Sequence, residues 1–449
     1  MTMNQRILFR DATLVSSEET RKTHVLVENG RILDTAADPH AACDQTVSCD
    51  GLHMLPGVID DQVHFRQPGL EHKEDLAHAS RACAAGGVTS FLEMPNTKPP
   101  AITMEGVHAK QRLASESSLV NYGFYIGATP DNLDQLVAAG SDPTIPGIKI
   151  FIGSSTGNLL VDSQEALEAI FAETTLRLTA HCEDETTVRH NAERYASSTD
   201  IATHSKIRDH EAAVIATKRA IDLSVRHQHP FHVLHVSTAD EIPLIAAAPD
   251  HVTGEACVHH LWFTIDDYER LGSRIQMNPS IKTSEDVDAL WQALRDGVLE
   301  VVATDHAPHT TEEKSKPYPQ SPSGLPAVEN SLSLMLESVH RGQCTLNQVV
   351  RWMCENPARV WMIDDRGILR EGNHADLVLV DLDASREIRD QEQHTKCGWT
   401  PWHGERLRGR AVATYVAGRE VWSLQKGFAA IDTATDRQLT FRSSAGETN

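Results

Sequence analysis

The sequence has no apolar run long enough to cross a membrane, which takes about 18 or more consecutive apolar residues. Residues 1–6 also lack the basic-then-apolar order of a signal peptide. The eight cysteines are scattered and form no Cys-x-x-Cys pair, which favours reduced thiols over a disulfide framework. These absences predict a cytoplasmic protein with no membrane partner.

Positive charge is also scarce, because 41 Lys and Arg residues face 63 Asp and Glu residues, for a formal net charge of −22. Nucleic-acid binding relies on clustered positive charge, so no nucleic-acid partner is expected. A small anionic substrate is still compatible with this charge, because binding it needs only one or two well-placed cationic side chains. The 24 histidines are an unusually high count and invite a search for metal sites.

The order of β-rich and helical segments predicts two structural units. Short β-rich runs at both chain ends predict one small β-sandwich built from residues 1–54 and 366–425. Within residues 55–365, eight apolar runs alternate with helical segments such as 131–140, 163–173, 209–227, 285–296 and 327–341, which predicts an α/β fold of the (β/α)₈ TIM-barrel type. The predicted strands end near His64, Glu93, Ile126, Ile152, His181, His235, Cys257 and Thr304. Residues 426–449 are polar and turn-rich, and a mobile tail is expected there.

The most informative segment is Asp60–Gly69, which follows the apolar run Met54–Ile59. Residues two apart on a strand face the same way, so Gln62, His64 and Arg66 should emerge together at the strand end. A possible metal ligand, His64, followed by the guanidinium of Arg66 suits an enzyme that binds a carboxylated substrate beside a metal ion.

Other predicted strand ends carry polar groups of the same kind. Lys149 lies among β-branched and aromatic neighbours, where an unpaired cation is costly, so it should be neutral, paired or chemically modified. His181 and His235 end two further strands, and imidazole suits zinc and similar ions. Asp305 follows an apolar strand, where it could cap a helix, ligate a metal weakly or accept a proton from metal-bound water.

Taken in order along the chain, these motifs resemble the dihydroorotase branch of the metal-dependent amidohydrolase superfamily. The similar segments are Pro56–Gly69, Glu93–Thr97, Gly147–Phe151, His232–Ser237, Asn278-Pro279, Thr304–His309, Glu312–Glu329, Gly367–Val378 and Gly398–Pro401.

The resemblance implies a metal site and a reaction. Position by position it implies metal ligation by His64, His181, His235 and Asp305, with Lys149 at the place of a carboxylated lysine. The implied cofactor is one or two Zn²⁺, with Mn²⁺ or Co²⁺ as alternatives. The implied reaction is reversible hydrolysis of L-dihydroorotate to N-carbamoyl-L-aspartate by metal-activated hydroxide, with Asp305 as general acid and base.

The same resemblance implies how the substrate is held. Arg66, Asn96 and His309 match residues that hold the substrate carboxylate, and Asn278 matches a contact to the ring. Arg offers a bidentate fork to a carboxylate, which suits this role. A homodimer is a further expectation from the family.

One position departs from the family pattern, because Gln62 stands where a histidine is usual. An amide oxygen is a poorer ligand than imidazole for zinc-like ions. The site could stay binuclear with Gln62 or water as a ligand, hold one metal, or belong to a catalytically silent scaffold. A hydantoinase, dihydropyrimidinase or allantoinase is the alternative enzyme, but a neutral ring would leave Arg66 buried and unpaired.

Overall fold

The computed structural model of the chain describes residues 5–153, 159–433 and 437–442. The first strands are β1 (Arg6–Val15), β2 (Thr20–Glu28), β3 (Arg31–Asp34), β4 (Gln45–Ser48) and β5 (His53–Pro56). They are followed by β6 (Val58–Val63), β7 (Val88–Glu93), β8 (Asn121–Phe124), β9 (Ile126–Gly127), β10 (Ile148–Ile152), β11 (Leu178–Cys182), β12 (Phe231–Val233), β13 (Val252–Cys257) and β14 (Val301–Ala303). The last strands are β15 (Leu377–Glu387), β16 (Arg406–Val416), β17 (Arg419–Ser423) and β18 (Gly427–Phe428).

Strands β6 to β14 are parallel and close into the predicted barrel, with β8 and β9 as two halves of its third strand. The first and last barrel strands meet where Val63 bridges His306 and the His64 amide donates to the His306 carbonyl at 2.7 Å. The buried Asp60 carboxyl group accepts from the Thr304 amide at 3.2 Å and from its hydroxyl at 2.6 Å. The predicted strand ends therefore converge on one face of the barrel.

The α-helices of the described residues fill the crossovers and the chain's remaining connections. They are α1 (Leu76–Gly86), α2 (Met104–Ser117), α3 (Leu133–Ala139), α4 (Gln164–Glu173), α5 (Glu185–Arg194), α6 (Thr203–Ile207), α7 (His210–His227), α8 (Ile242–Ala246), α9 (Tyr268–Leu271), α10 (Ser284–Asp296), α11 (Thr311–Lys314), α12 (Ser331–His340), α13 (Leu346–Val350) and α14 (Asn356–Val360). Side-chain caps fix several starts: Asp209 accepts from the Ala212 amide at 3.0 Å, and Thr283 forms a capping box with Asp286. Each of the five predicted helices is present, with ends that differ from the predicted ones by at most four residues.

The two chain ends meet in one nine-stranded sheet, as predicted for the flanking β unit. Its order is β18-β17-β16-β15-β5-β1-β2-β3, with β4 also paired to β1. Strand β5 joins the N-terminal strands to β15 from the C-terminal part. The rings of Phe9 and Tyr415 pack edge to face at 5.0 Å between centroids, so residues some 400 positions apart share one core.

The described part of the C-terminal segment includes a short strand and two buried side chains, and the mobility expected of residues 426–449 stays a prediction. Residues 427–428 form the short strand β18, and Leu439 and Phe441 are buried. Phe441 forms a bridge with Ile363, and its amide donates to the Pro143 carbonyl at 2.8 Å. The burial of Leu439 and Phe441 was not predicted, because the segment around these two apolar residues is mostly polar. Residues 434–436 and 443–449 lie outside the described residues.

Within the described ranges, no helix combines the length and apolar character required to cross a bilayer.

Candidate active site

A cavity of about 490 Å³ opens at the carboxyl ends of the barrel strands. All ten residues predicted from the sequence line it: Gln62, His64, Arg66, Asn96, Lys149, His181, His235, Asn278, Asp305 and His309. They come from several barrel strands and the loops that follow them, so the convergence is a product of barrel closure. This is the face on which (β/α)₈ enzymes build active sites.

The histidines and Asp305 form a compact buried group. His181 Nδ1 lies 3.0 Å from His235 Nε2, and His64 Nε2 lies 3.0 Å from an Asp305 oxygen. His235 and Asp305 adopt positive φ angles of 38° and 45°, which turns the chain sharply after each strand. Burial lowers the pKa of all three histidines, so they are held as neutral imidazoles, the form that binds metals.

Lys149 is buried beside this group. Its Nζ lies 4.8 Å from the centroid of the Phe151 ring, and it forms no ion pair with any described residue. Burial lowers the pKa of its amine to about 8. A lowered pKa increases the fraction of neutral amine, the form that reacts with carbon dioxide to give a carbamate, and modification of Lys149 stays a prediction.

Side chains that sequence reasoning missed orient the histidines. Glu183 lies 2.8 Å from His181 Nε2 and pairs with Arg208. The Glu255 carboxyl group accepts from the His235 amide at 3.0 Å. Glu183 stands two residues after His181, so the alternation of a strand was a usable signal. Arg208 and Glu255 had no comparable signal, because Arg208 lies between α6 and α7 and Glu255 lies on another barrel strand, β13.

Asn96 contacts the metal-ligand group as well as the substrate cavity. Its amide oxygen lies 2.6 Å from His64 Nδ1 and accepts the ring proton, which leaves His64 Nε2 free to act as a ligand. The Asn96 amide nitrogen is then the group available to a substrate oxygen. The resemblance implied only a substrate contact for this residue.

The guanidinium of Arg66 stands at the other side of the cavity. Its Nε donates to the Pro308 carbonyl at 3.1 Å, and Nη2 lies 3.4 Å from His309 Nε2. Arg66 is buried and has no ion pair with any described residue, and burial lowers its pKa. The charges of Asp305, Glu93 and Glu313 offset part of the cost of burying this cation without forming an ion pair, and an anionic ligand in contact with the guanidinium would offset more of it.

His309 lies between two cations and stays neutral. Its Nδ1 is 3.0 Å from Lys73 Nζ, and its Nε2 is 2.9 Å from the Ser323 carbonyl. Burial, followed by the charges of Arg66 and Lys73, holds the pKa of His309 far below its usual range. Trp399 Nε1 donates to the His309 carbonyl at 2.8 Å and fixes the backbone there. Sequence reasoning missed Lys73, which joins this corner through a long-range contact.

Asn278 completes the cavity wall. Its amide oxygen lies 3.0 Å from Nε2 of His204, which is also 2.8 Å from the Met277 carbonyl. Burial lowers the pKa of His204 to about 4, so the ring is neutral. His204 was not predicted, because it belongs to the short helix α6, 74 positions before Asn278.

The comparisons with known proteins agree with this geometry. The Amidohydrolase family profile matches residues 53–421, which is most of the chain. The chain belongs to the amidohydrolase family. The amidohydrolase is 36% identical to the dihydroorotase of Halobacterium salinarum over 430 residues, 92% of this chain and 96% of that protein. It is 31% identical to the dihydroorotase of Methanothermobacter thermautotrophicus over 395 residues, 88% of this chain and 90% of that protein.

Solved structures of related enzymes share the fold of this amidohydrolase. The L-hydantoinase (dihydropyrimidinase) from Arthrobacter aurescens superposes with a TM-score of 0.91 at 27% identity, covering 95% of this chain and 98% of that one. The dihydropyrimidinase from Brevibacillus agri superposes with a TM-score of 0.89 at 24% identity, covering 98% and 100% of the two chains, which supports the fold alone. The barrel with its flanking β unit and the class of metal-dependent cyclic amidohydrolase are thereby confirmed.

The donor set of the amidohydrolase fits a divalent metal. Neutral imidazoles and a carboxylate suit zinc and similar ions. The Gln62 amide oxygen is buried in the same cavity wall and has no hydrogen-bond partner among the described residues. It is therefore available as an additional weak ligand, as the first of the three alternatives for this position requires.

A second group of residues with metal-ligand side chains lies deeper in the barrel and is fully buried. Ligand atoms of Asp61, His232 and Glu255 all lie within 4.8 Å of one another, and all three residues are fully buried. Burial raises the pKa of Asp61 to about 7 and that of Glu255 to about 8. Trp361 donates to Asp61 at 2.5 Å. Because the Glu255 carboxyl group accepts from the His235 amide, this buried group helps to fix the position of His235.

Glu74, Asp75 and His78 form a third group of possible metal ligands, which is less buried.

Gly324 is a position where a side chain would disturb the carboxylate-binding corner. It has a φ of +131°, and an added Cβ would lie 2.3 Å from the Ala307 carbonyl oxygen and 2.9 Å from His309 Cδ2. We expect Gly324→Ala to lower the free energy of unfolding by about 3 kcal/mol and to raise KM, because His309 must move. Urea denaturation and steady-state kinetics measure both effects.

The matched control is Gly342→Ala. Gly342 has a φ of +73° but no atom within 4 Å of an added Cβ. It should cost only the backbone strain, about 1 kcal/mol, and leave KM unchanged. Equal effects of the two substitutions on stability and KM would show that the close approach to His309 has no consequence.

Proposed function

We propose that this amidohydrolase is a dihydroorotase, which interconverts L-dihydroorotate and N-carbamoyl-L-aspartate. The observation that carries the proposal is Arg66, a buried guanidinium in the cavity that also holds the histidine group, with no ion pair to any residue that the structure describes. Such a residue calls for an anionic ligand next to the reacting groups. The dihydroorotases of Halobacterium salinarum and Methanothermobacter thermautotrophicus support the same reading.

Substrate binding is the task of the corner around Arg66. In the proposal, the guanidinium forms a bidentate pair with the ring carboxylate, and Asn96 donates from its amide nitrogen. His309 is neutral, and its ring is oriented by Lys73 and the Ser323 carbonyl. Asn278, fixed by His204, contacts the ring amide on the opposite wall. These contacts place the scissile carbonyl against the histidine group.

A divalent metal such as zinc would be held by His64, His181, His235, Asp305 and a carbamylated Lys149, and would polarise the ring carbonyl and lower the pKa of a coordinated water towards about 7. One or two ions fit the proposal, with Gln62 as the weak ligand of a second, and Mn²⁺ or Co²⁺ could replace Zn²⁺.

Asp305 is the proposed general acid and base. Hydrolysis adds water across the ring amide: the carbonyl carbon gains a hydroxyl group, the carbon–nitrogen bond breaks, and the nitrogen gains a proton. The Asp305 carboxylate lies 3.0 Å from His64 Nε2 and lines the cavity, so it can take the proton from water and deliver it to the leaving nitrogen. Ring closure runs through the same groups in reverse.

Hydrolysis of a neutral ring is the alternative, and the TM-score of 0.91 with the Arthrobacter aurescens L-hydantoinase favours it as a second candidate. A hydantoin or dihydropyrimidine would leave Arg66 without a counter-charge. The carboxylate of dihydroorotate supplies one. The electrostatics of the cavity therefore favour the acidic substrate.

The test is ultraviolet-monitored turnover of L-dihydroorotate by the purified protein with zinc and bicarbonate, run in both directions. Ring opening at alkaline pH and ring closure of N-carbamoyl-L-aspartate at acidic pH are expected, since protonation of the product carboxylate favours closure. A folded, metal-loaded protein that turns over neither compound would refute the proposal.

Carbamylation of Lys149 is a separate expected result. Carbon dioxide reacts with the neutral amine, and because the pKa of Lys149 is lowered to about 8, the neutral fraction rises as the pH increases through that value. We expect one carbamate signal in the ¹³C NMR spectrum after addition of ¹³C-bicarbonate, growing from pH 6.5 to 8.5. Lys149→Met should abolish it, whereas the exposed control Lys98→Met should retain it. A carbamate signal that persists in both variants would show that the carbamate forms on another residue.

Location and assembly complete the proposal. All eight cysteines are free, which supports a reducing compartment such as the cytoplasm. The homodimer expected from the family stays a prediction, which light scattering of the purified protein tests.

A further inference from the structure

A second cavity, of about 290 Å³, lies between the nine-stranded sheet and the barrel. Its polar lining consists chiefly of Arg386, Arg410, Glu329, Glu392 and His394. It shares no lining residue with the candidate active site among the residues that the structure describes. An inference about it is therefore independent of the proposed function.

Two arginines of this cavity have no side-chain partner in the part of the chain that the structure describes. Arg386 lies on β15 and Arg410 on the neighbouring strand β16, and both are partly buried. The Nε atom of each is shielded from solvent and has no hydrogen-bond partner, and neither guanidinium forms an ion pair with a described residue. Burial lowers the pKa of both, and the charge of Arg386 adds to the effect on Arg410.

The nearby carboxylates attract this pair without contacting it: the charges of Glu329 and Glu392 oppose the lowering of the pKa of Arg386, but no carboxylate of the described residues forms an ion pair with either guanidinium. Both Glu329 oxygens are occupied by His394, one by its amide at 2.7 Å and one by its Nδ1 at 2.8 Å. Asp381, opposite Arg410 in the strand register, accepts from the amides of Asp383 and Ala384 at 2.9 and 3.0 Å. Glu392 is exposed at the rim. The buried arginine Arg366, by contrast, is paired with Asp376 at 2.9 Å.

An apolar wall stands beside the two guanidinium groups. Trp422 and Phe428 line the cavity with their ring centroids 6.5 Å apart. His394 packs edge to face on Phe428 at 4.9 Å. The cavity therefore places two guanidinium groups next to an aromatic surface, which suits an anionic group attached to a planar apolar ring.

We propose that the cavity binds the phosphate group of a small organic phosphate ester, with Arg386 and Arg410 on the phosphate and Trp422 with Phe428 against the organic part. Two guanidinium groups that form no ion pair with a described residue match the double charge and several acceptor oxygens of a phosphate monoester. No bond is made or broken, so this is a binding site separate from catalysis.

Calorimetric titration with phenyl phosphate and with inorganic phosphate tests the proposal on the intact protein. Phenyl phosphate should bind, and more tightly than inorganic phosphate because its ring contacts Trp422 and Phe428. Arg386→Gln and Arg410→Gln should each weaken binding at least tenfold. The control Arg408→Gln, an exposed arginine of the same strand paired with Asp383, should bind like the wild type.

A second measurement needs no variant and covers a failure of the glutamine proteins to fold. Phenylglyoxal modification of the wild-type protein, mapped by mass spectrometry, should be slowed at Arg386 and Arg410 by phenyl phosphate and unchanged at Arg408. Equal affinity for both probes would assign the site to free phosphate and overturn the ester. Absent binding, or binding without protection of Arg386 and Arg410, would overturn the site itself.

Discussion

Replacement of Arg66 by alanine is expected to lower kcat/KM for L-dihydroorotate by roughly 100- to 1,000-fold, mostly through KM. Arg66 is a buried guanidinium of the cavity, and loss of one partner of a buried charge pair costs about 3–4 kcal/mol. The bound metal, measured by elemental analysis, should stay at the wild-type level, because Arg66 contacts His309 and the Pro308 carbonyl and none of the predicted ligands.

Two further variants separate the guanidinium from general effects of charge. Arg66→Lys keeps the charge but loses the fork, so an intermediate KM is expected. Lys98→Ala removes an exposed cation from the rim of the same cavity and should change kcat/KM less than about threefold, since exposed charges interact weakly. An unchanged KM in Arg66→Ala would contradict the role assigned to Arg66.

Asp305→Asn is expected to lower kcat by roughly 1,000-fold with little change in KM. Asparagine preserves the shape of the side chain but cannot take up and deliver a proton, and this function contributes about 10²- to 10⁴-fold. Asp305 approaches His64 at 3.0 Å, so a partial loss of bound metal is also expected. Steady-state kinetics and elemental analysis on the same sample separate the two effects.

The surface substitution Asp222→Asn is the matched control, because Asp222 forms only an exposed pair with Lys218 on α7. It should leave kcat and metal content unchanged. If Asp305→Asn kept wild-type kcat with full metal content, another group would have to move the proton.

Much of the barrel and of its site could be predicted because both depend on short-range periodicity. Apolar runs of strand length mark the barrel strands, and the strand ends near His64, His181 and His235 fall within two residues of the observed ends. His64, His181 and His235 lie at or just after such strand ends, and parallel strands bring their carboxyl ends to one face. The predicted residues therefore gather in one cavity.

The parts that escaped prediction depend on contacts between distant segments. Lys73 reaches His309 across 236 positions, and Trp399 reaches the same residue across 90. No periodicity links such pairs, because the fold alone determines which crossover loops meet. The burial of Leu439 and Phe441 escaped for the same reason, since their binding groove exists only after barrel closure.

The central claim is that Arg66 selects an anionic ring for a metal-dependent hydrolase. The most direct test compares kcat/KM for L-dihydroorotate with that for dihydrouracil, which has the same ring without the carboxylate, on one zinc-loaded preparation. A preference for dihydroorotate of at least about 100-fold is expected from a buried charge pair. Equal or faster turnover of dihydrouracil would contradict the account and identify a dihydropyrimidinase instead.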